Sequence, residues 1–404
     1  MREGRMKRTV LIGIAPDSFK GSLTAREAAD CIERGLKSVL SNISVRKIPM
    51  ADGGEGTVYA IVEATGGRLV WKTVRGPRRQ RVRAAYGITG DGRRAIIEMA
   101  AASGLALLKP RERNPMVTTT FGTGELIRDA LERNVTRILV GIGGSATNDG
   151  GVGMARALGI RFLDNAGRPL PEGGGTLRKL AKIDMSGLHP RAAEVVFEVA
   201  CDVDNPLVGP RGAAQVFGPQ KGATPAMVRE LDAGLRRLAS VTRRDLGVDI
   251  ADTPGSGAAG GLGGGLMAFL RAKPRSGVDI VSESVDLAHK LKGCHLVITG
   301  EGRMDGQTVF GKTPVGVARV ARKLGIPVIA IPGSVGRDVG SVHGIGIEAY
   351  VSALQETIPE EDLAARGPAM LEDCAAQVGR LLALRFRGRS ALRRREQQRE
   401  AGIP

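Results

Sequence analysis

The feature that most constrains the fold is the segment 138–151, where a short apolar run ends in glycines and polar residues. The apolar run Ile-Leu-Val is typical of a buried strand, and the glycines that follow it let the backbone approach an anion closely. A helix beginning just after the glycines would add the positive end of its dipole. Two more loops of this kind occur at 255–265 and 298–314. The sequence therefore predicts an α/β fold that binds anionic ligands.

The composition agrees with this prediction and excludes other classes. Of the 404 residues, 42% are hydrophobic and 25% are charged, as in ordinary globular proteins, and the 58 glycines concentrate after predicted strands. The length favours two domains. No apolar run reaches the roughly 18 residues that a membrane helix needs, and the first apolar run is too short for a signal peptide. We therefore expect a cytoplasmic protein that does not enter a membrane.

The distribution of charge argues against a nucleic-acid partner, although the net charge is +17. Much of the excess lies at the ends, because residues 1–8 carry four basic residues and one acidic residue, and residues 385–400 carry seven basic and two acidic ones. The few aromatic residues do not cluster with these basic segments, as a base-stacking surface would require. The basic end is interpreted as a solvated helix terminus, and the remaining excess suits anionic substrates.

Cysteine and histidine usage narrows the chemistry further. The four cysteines are far apart and form no C-x-x-C pair, which argues against zinc and against disulfides. The four histidines lie outside the polar loops, so histidine-based acid–base chemistry is not expected. Phosphoryl transfer needs mainly positioning and charge neutralisation, for which carboxylates, Lys, Arg and Mg²⁺ suffice.

The order of predicted elements indicates a discontinuous domain. Residues 7–68 and 290–384 show strand–loop–helix repeats typical of a parallel sheet, whereas residues 69–99 resemble an antiparallel meander. We predict a parallel-sheet α/β domain from 7–68 and 290–384, an inserted α/β domain at 69–289, and a basic tail at 385–404.

Polar residues follow several predicted strands, at the edge where open parallel sheets bind ligands. Asp202 and Asp204 alternate at a strand end, which would place both carboxylates on one face, as a Mg²⁺ site would use. Lys312 opens a helix as a cation at its positive end, so we expect it to have an anionic partner. The polar candidates in the other loops are Asp17, Ser18 and Lys20, then Asp52, then Gly143, Gly144, Ser145, Thr147, Asn148 and Asp149, and finally Glu301 and Arg303.

Five of these motifs, at 17–22, 51–57, 141–151, 255–261 and 299–303, occur in the order found in the bacterial glycerate kinase family. The chain resembles that family from about residue 9 to 382, and most closely its type that forms 2-phosphoglycerate. The resemblance implies ATP- and Mg²⁺-dependent phosphorylation of D-glycerate in a cleft between two domains. One domain would be Rossmann- or flavodoxin-like, and the other would be the inserted α/β domain with the meander.

Within this hypothesis, chemistry suggests a role for each candidate. Asp17, Ser18, Lys20, Glu301 and Arg303 would bind the substrate, and Asp52, Asp149 and Lys20 would act in catalysis, with either aspartate as general base. Nucleotide phosphates would lie against Gly143, Gly144, Ser145, Thr147, Asn148 and Lys312, and Asp202 and Asp204, or Glu301, would hold the metal.

Two other classes remain open from the residues. One is a non-catalytic sensor of sugar acids or nucleotides that acts through its basic tail, and the other is a nicotinamide-dependent dehydrogenase. The second lacks the G-x-G-x-x-G fingerprint. The sequence leaves the oligomeric state open, a homodimer being one option.

Overall fold

A computed structural model gives the structure of the chain, and it describes residues 9–306 and 308–400, without the side chains of Phe310, Glu360 and residues 385–400. The chain divides into two compact units. The first unit comprises Met1–Ala51 and Val285–Pro404, and the second comprises Asp52–Ser284. The first unit is thus discontinuous in sequence, and the second unit is inserted in it.

The strands and helices alternate along much of the chain. The strands are β1 (Val10–Pro16), β2 (Ile43–Lys47), β3 (Arg68–Arg75), β4 (Arg81–Ile88), β5 (Arg94–Glu98), β6 (Arg137–Gly141), β7 (Arg161–Leu163), β8 (Lys182–Asp184), β9 (Val196–Ala200), β10 (Lys273–Arg275), β11 (Leu296–Gly300), β12 (Arg303–Met304), β13 (Val328–Ala330), β14 (Ser334–Val335) and β15 (Ala349–Tyr350). The α-helices are α1 (Ala25–Lys37), α2 (Thr57–Thr65), α3 (Ala100–Ser103), α4 (Phe121–Leu131), α5 (Val152–Ala157), α6 (Ala213–Phe217), α7 (Pro225–Leu246), α8 (Leu262–Leu270), α9 (Gly277–Ser284), α10 (Leu287–Leu291), α11 (Thr313–Lys323) and α12 (Leu363–Glu400).

The first unit is built on a parallel sheet with the strand order β15-β13-β11-β1-β2. Its central strand β11 is buried along its length, as expected for a strand covered on both faces. Helix α1 begins at a capping box, in which the Thr24 hydroxyl accepts from the Glu27 N–H and the Glu27 carboxylate accepts from the Thr24 N–H. Apolar residues of α1 and α12 pack in one cluster with β1 and β11.

The second unit is built on a mixed sheet with the order β10-β9-β6-β5-β4-β3. The four strands from β10 to β5 are parallel, and β5, β4 and β3 form the predicted antiparallel meander. Many of its buried apolar residues form one large cluster. The two sheets confirm the predicted mixed α/β fold.

The division between the units lies earlier in the chain than the predicted boundary after residue 68. Helix α2 packs against β4, where Gly87 makes room for it: a Cβ on Gly87 would lie 2.5 Å from Val62 Cγ2 and 3.2 Å from Val58 Cγ1. Residues 52–68 therefore belong to the second unit. Similarly, residues 285–289 belong to the first unit.

Most of the predicted basic tail at 385–404 lies within α12. The backbone of α12 continues as a helix to Glu400, and residues 1–8 and 401–404 lie outside the described part of the chain. Within the described residues, no helix is both long enough and apolar enough to span a membrane.

Candidate active site

In the second unit, the predicted polar loops gather at the carboxyl ends of the parallel strands. Gly53 packs against the end of β9 and the start of α9, since a Cβ there would lie 2.7 Å from Ala200 Cβ and 3.0 Å from Gly277 Cα. A Cβ on Gly141, at the end of β6, would lie 2.5 Å from the Gly53 carbonyl oxygen. Glycine is needed at these close approaches, which hold Asp52 at the strand ends.

Asp202 is the acidic residue that follows β9 at this edge. Its carboxylate accepts a hydrogen bond from the Gly277 N–H at 3.1 Å, at the N-terminus of α9. Although the residue reaches solvent, partial loss of hydration raises the pKa of Asp202 to about 6, and the negative charges of Asp52 and Asp279 act in the same direction. Such a carboxylate gains from a bound cation.

Asp204 does not join Asp202 as predicted. Strand β9 ends at Ala200, so the alternation of side chains along a strand does not extend to these residues. The Asp204 carboxylate instead accepts two hydrogen bonds from Arg211 Nη2, both at 2.8 Å, in an exposed ion pair. Within the described residues there is no group of three or more His, Cys, Asp or Glu side chains that could hold a metal.

Glu98, at the end of β5, is an acidic residue of this edge that the sequence did not single out. Its carboxylate accepts a hydrogen bond from the Val58 N–H at 2.8 Å, at the start of α2. Burial raises the pKa of Glu98 to about 7, with a smaller contribution from the charge of Glu55. Glu98 thus anchors the helix that follows the Asp52 loop.

The surroundings of Asp149 do not suit its predicted role as general base. The residue is 1% exposed, and its carboxylate accepts hydrogen bonds from the N–H groups of Thr120, Gly151 and Gly153 at 2.8–3.2 Å. Burial raises its pKa, and these hydrogen bonds oppose the change. The geometry assigns Asp149 to holding the loop before α5 rather than to contact with a substrate.

The glycine loop after β6 presents its tip to solvent. Gly143 and Gly144 are exposed, whereas Ser145, Thr147 and Asn148 are buried behind them. The side-chain amide of Asn148 has no hydrogen-bond partner among the described residues. Exposed glycine N–H groups at the end of a parallel strand suit an anion.

Lys221 lies beneath this loop, and it is not among the candidate residues predicted from the sequence. It is 2% exposed, and its ammonium nitrogen donates to Ser145 Oγ at 3.1 Å and to the Thr147 carbonyl oxygen at 2.7 Å. Burial lowers the pKa of Lys221 to about 7, and the negative charge of Asp149 opposes the change. The sequence carries no signal for this contact, because Lys221 lies 76 residues from Ser145.

In the first unit, Asp17, Ser18 and Lys20 follow β1 as predicted. Asp17 is buried and accepts hydrogen bonds from the Ser18 N–H at 2.6 Å and from Thr313 Oγ1 at 2.5 Å. It therefore ties the loop to the first residue of α11. Lys20 is exposed, beside Gly302 of the loop after β11.

Glu301, Arg303 and Lys312 lie together in the loop that joins β11 to α11. Glu301 is buried, accepting from Thr308 Oγ1 at 2.8 Å and lying 3.6 Å from Lys312 Nζ, which makes it the expected anionic partner of that lysine. The Arg303 side chain is 67% exposed and lies 3.6 Å from Asp305. Arg303 and Lys20 thus offer exposed cations in this unit.

Glycine-rich loops and carboxylates at the carboxyl ends of parallel strands are typical of α/β enzymes that act on anionic ligands. The sequence profile of the Glycerate kinase family matches residues 12–383. The chain therefore belongs to the glycerate kinase family.

Individual relatives agree with this family over most of their length. A glycerate kinase of Bacillus subtilis (strain 168) is 53% identical over 365 residues, which is 90% of this chain and 96% of that protein. A glycerate 2-kinase of Escherichia coli (strain K12) is 53% identical over 345 residues, or 85% of this chain and 90% of that protein. The crystal structure of a related protein from Salmonella typhimurium LT2 superposes with a TM-score of 0.84 at 48% identity, covering 94% of this chain and all of that one.

Proposed function

We propose that this protein is an ATP- and Mg²⁺-dependent kinase that converts D-glycerate to 2-phosphoglycerate. The family supports the reaction class, and the name of the Escherichia coli relative supports the 2-position. The observation that carries the proposal is the edge of the second unit, where Asp52, Asp202 and the glycine loop lie at the ends of β6 and β9. Phosphoryl transfer requires this combination of anion-binding backbone and carboxylates.

The nucleotide phosphates are proposed to bind at the exposed N–H groups of Gly143 and Gly144, with the Ser145 hydroxyl behind them. Peptide N–H groups stabilise charge on phosphate oxygens without a cost in reorganisation, because the fold already holds them in place. The cation of Lys312, at the start of α11, is proposed to bind phosphate oxygens as a point charge.

The acceptor requires a group for its carboxylate and a group for its hydroxyl. Lys20 and Arg303 are proposed for the carboxylate, because both are exposed cations and a guanidinium can bind a carboxylate in a bidentate manner. Asp52 is proposed to orient the hydroxyl and accept its proton as phosphoryl transfer proceeds. Asp149 is not proposed for this role, because its oxygens already bind backbone N–H groups.

The residues at this edge also fit Mg²⁺. This ion is commonly held by one or two carboxylates together with phosphate oxygens and water. Asp202 reaches solvent, and its surroundings raise its pKa and so disfavour the ionised carboxylate. A bound Mg²⁺ would offset this effect, so Asp202 is the residue that would hold the ion. When bound, Mg²⁺ would neutralise charge on the phosphates.

Neither alternative class is favoured. The match to a kinase family over residues 12–383 supports neither a non-catalytic sensor nor a dehydrogenase. The relatives at about half identity also carry kinase names.

The test is a coupled assay of ADP release with MgATP and a panel of acceptors, namely D-glycerate, L-glycerate, lactate and no acceptor. We expect release to depend on D-glycerate and on Mg²⁺. Asp202→Asn should lose most of this activity, and Asp204→Asn is the matched control because Asp204 pairs with Arg211 on the surface. Equal ADP release with and without acceptor, or equal loss in the two variants, would contradict the proposal.

A further inference from the structure

Lys221 is a buried ammonium whose hydrogen bonds go to uncharged oxygens of the glycine loop. It donates to Ser145 Oγ at 3.1 Å and to the Thr147 carbonyl oxygen at 2.7 Å. A buried cation loses much of its hydration, and hydrogen bonds to neutral groups replace it only in part. Negative charge brought to this loop would therefore stabilise the protonated form of Lys221.

The hydrogen bonds of Ser145 determine what its hydroxyl can do. Its oxygen accepts from the Thr147 N–H at 3.2 Å as well as from Lys221, so both of its lone pairs have donors. The hydroxyl hydrogen has acceptors at 3.2–3.4 Å within the protein, in Thr147 and in the Ala259 carbonyl. These distances are long for O–H···O hydrogen bonds, so the hydrogen is weakly held.

The protonation of Lys221 sets the direction of this contact. An ammonium can only donate, and it makes Ser145 an acceptor towards Lys221 and a donor elsewhere. A neutral amine has a lone pair, which can accept the Ser145 hydrogen and take it away from a ligand. The same distance of 3.1 Å thus corresponds to two states of the loop.

We propose that protonated Lys221 is a positioning residue that commits the Ser145 hydroxyl to donate to a phosphate group bound at Gly143 and Gly144, so that nucleotide binding is accompanied by proton uptake at Lys221. This inference rests on the nucleotide site proposed above. The chemical class of the ligand is a nucleoside di- or triphosphate, whose terminal oxygens are strong acceptors.

The charges around Lys221 are consistent with this coupling. Asp149 is the charge that acts on Lys221, and it is buried in the same loop, with its oxygens bound by backbone N–H groups. Helix α6, which packs against the turn that ends at Lys221, contains no charged residue. Arg113 approaches the neighbouring Gly222 through its backbone carbonyl and Cβ. Burial lowers the pKa of Lys221 to about 7, so a small stabilisation of the ammonium changes its protonation near neutral pH.

The test is isothermal titration calorimetry of MgADP binding between pH 6.5 and 8.5, each titration in two buffers of different ionisation enthalpy. The wild-type protein should take up a proton on binding near pH 8, and its affinity should fall by up to about tenfold per pH unit above neutrality. Lys221→Met keeps the side-chain length without a charge, and it should show only the proton uptake that belongs to ADP. Ser145→Ala and the double variant complete a thermodynamic cycle.

Non-additive losses of affinity in this cycle are expected, because Lys221 acts through Ser145. Equal proton uptake in wild type and Lys221→Met, or additive losses, would overturn the inference. If Lys221→Met does not fold, Lys221→Gln takes its place, and a wild-type affinity that is independent of pH between 7 and 8.5 would itself overturn the inference. Phosphoryl transfer without Lys221-linked proton uptake would reject this inference alone, whereas linked uptake without transfer would reject the proposed reaction alone.

Discussion

The Asp202 carboxylate lies at the N-terminus of α9, where it accepts a hydrogen bond from the Gly277 N–H at 3.1 Å. The partial positive charge of the helix end favours the ionised carboxylate, whereas loss of hydration and the charges of Asp52 and Asp279 disfavour it. The pKa of Asp202 is raised to about 6, so the loss of hydration and the neighbouring charges outweigh the effect of the helix end. The site thus keeps an acidic residue whose ionisation costs stability.

The first prediction follows from this cost. A carboxyl group with a raised pKa in the folded state contributes stability at low pH, which is lost as pH rises from about 4 through about 6. We therefore expect Asp202→Asn, measured with EDTA, to melt at or above the wild-type temperature at pH 8 while losing at least about a hundredfold in turnover with Mg²⁺. Thermal melts at pH 4.5 and pH 8 and steady-state kinetics provide the test. A lower melting temperature at pH 8 than wild type would contradict it.

Asp149→Asn should lower the stability of the fold and leave the pH dependence of the remaining activity unchanged. In the wild-type protein, backbone N–H groups donate to both oxygens of the Asp149 carboxylate. The substitution replaces one of these oxygens by an NH₂ group that cannot accept, which should lower the free energy of unfolding by about 1–3 kcal/mol or more. Urea unfolding measures this cost, and the pH–rate profile measures the mechanism. A fully stable variant that loses the basic group from its pH–rate profile would restore Asp149 as a general base.

Gly260 and Gly247 offer a matched pair for the packing of the glycine loops. Both have a positive φ, of 68° and 70°, but a Cβ on Gly260 would lie 1.9 Å from the Thr147 carbonyl oxygen, whereas nothing lies within 4 Å at Gly247. Gly247→Ala should cost about 1–2 kcal/mol from backbone strain alone. Gly260→Ala should cost considerably more and should also weaken nucleotide binding. Equal free energies of unfolding for the two variants would show that the loops do not pack as described.

The exposed cations of the first unit give a prediction about substrate affinity. Lys20→Met and Arg303→Met should each raise the KM for D-glycerate by about tenfold or more, because each removes a charged hydrogen bond of about 1.5–3 kcal/mol. The KM for ATP should change much less. Arg168→Met is the control, because Arg168 is an exposed arginine paired with Asp164 in the second unit. An unchanged KM for glycerate in both variants would remove these cations from the substrate site.

Much of the fold was predictable because its signals are local. The apolar run of β6 and the meander of β3, β4 and β5 lie where they were predicted, and the capping box at Thr24 is a signal of the same local kind. Each depends on residues that are neighbours in the chain. The boundary between the units was placed too late, because the packing of α2 against β4 depends on Gly87, which is distant in sequence.

The roles of single carboxylates could not be predicted, because burial is a property of the folded chain. Asp149 and Asp202 both follow strands, yet one is enclosed by backbone N–H groups and the other reaches solvent. Asp204 was paired with Asp202 on the assumption that the strand continues, but β9 ends at Ala200. Lys221 was missed because its turn carries no motif and its contacts are distant in sequence.

³¹P NMR of the purified protein with D-glycerate, ATP and Mg²⁺ tests the proposed reaction most directly, because it identifies the product. We predict loss of the γ-phosphate signal of ATP and growth of a phosphomonoester signal that matches authentic 2-phosphoglycerate. A signal that matches 3-phosphoglycerate would contradict the proposed position of transfer. Folded protein that binds MgATP and yields only inorganic phosphate, or no new signal, would contradict the proposed phosphorylation of glycerate.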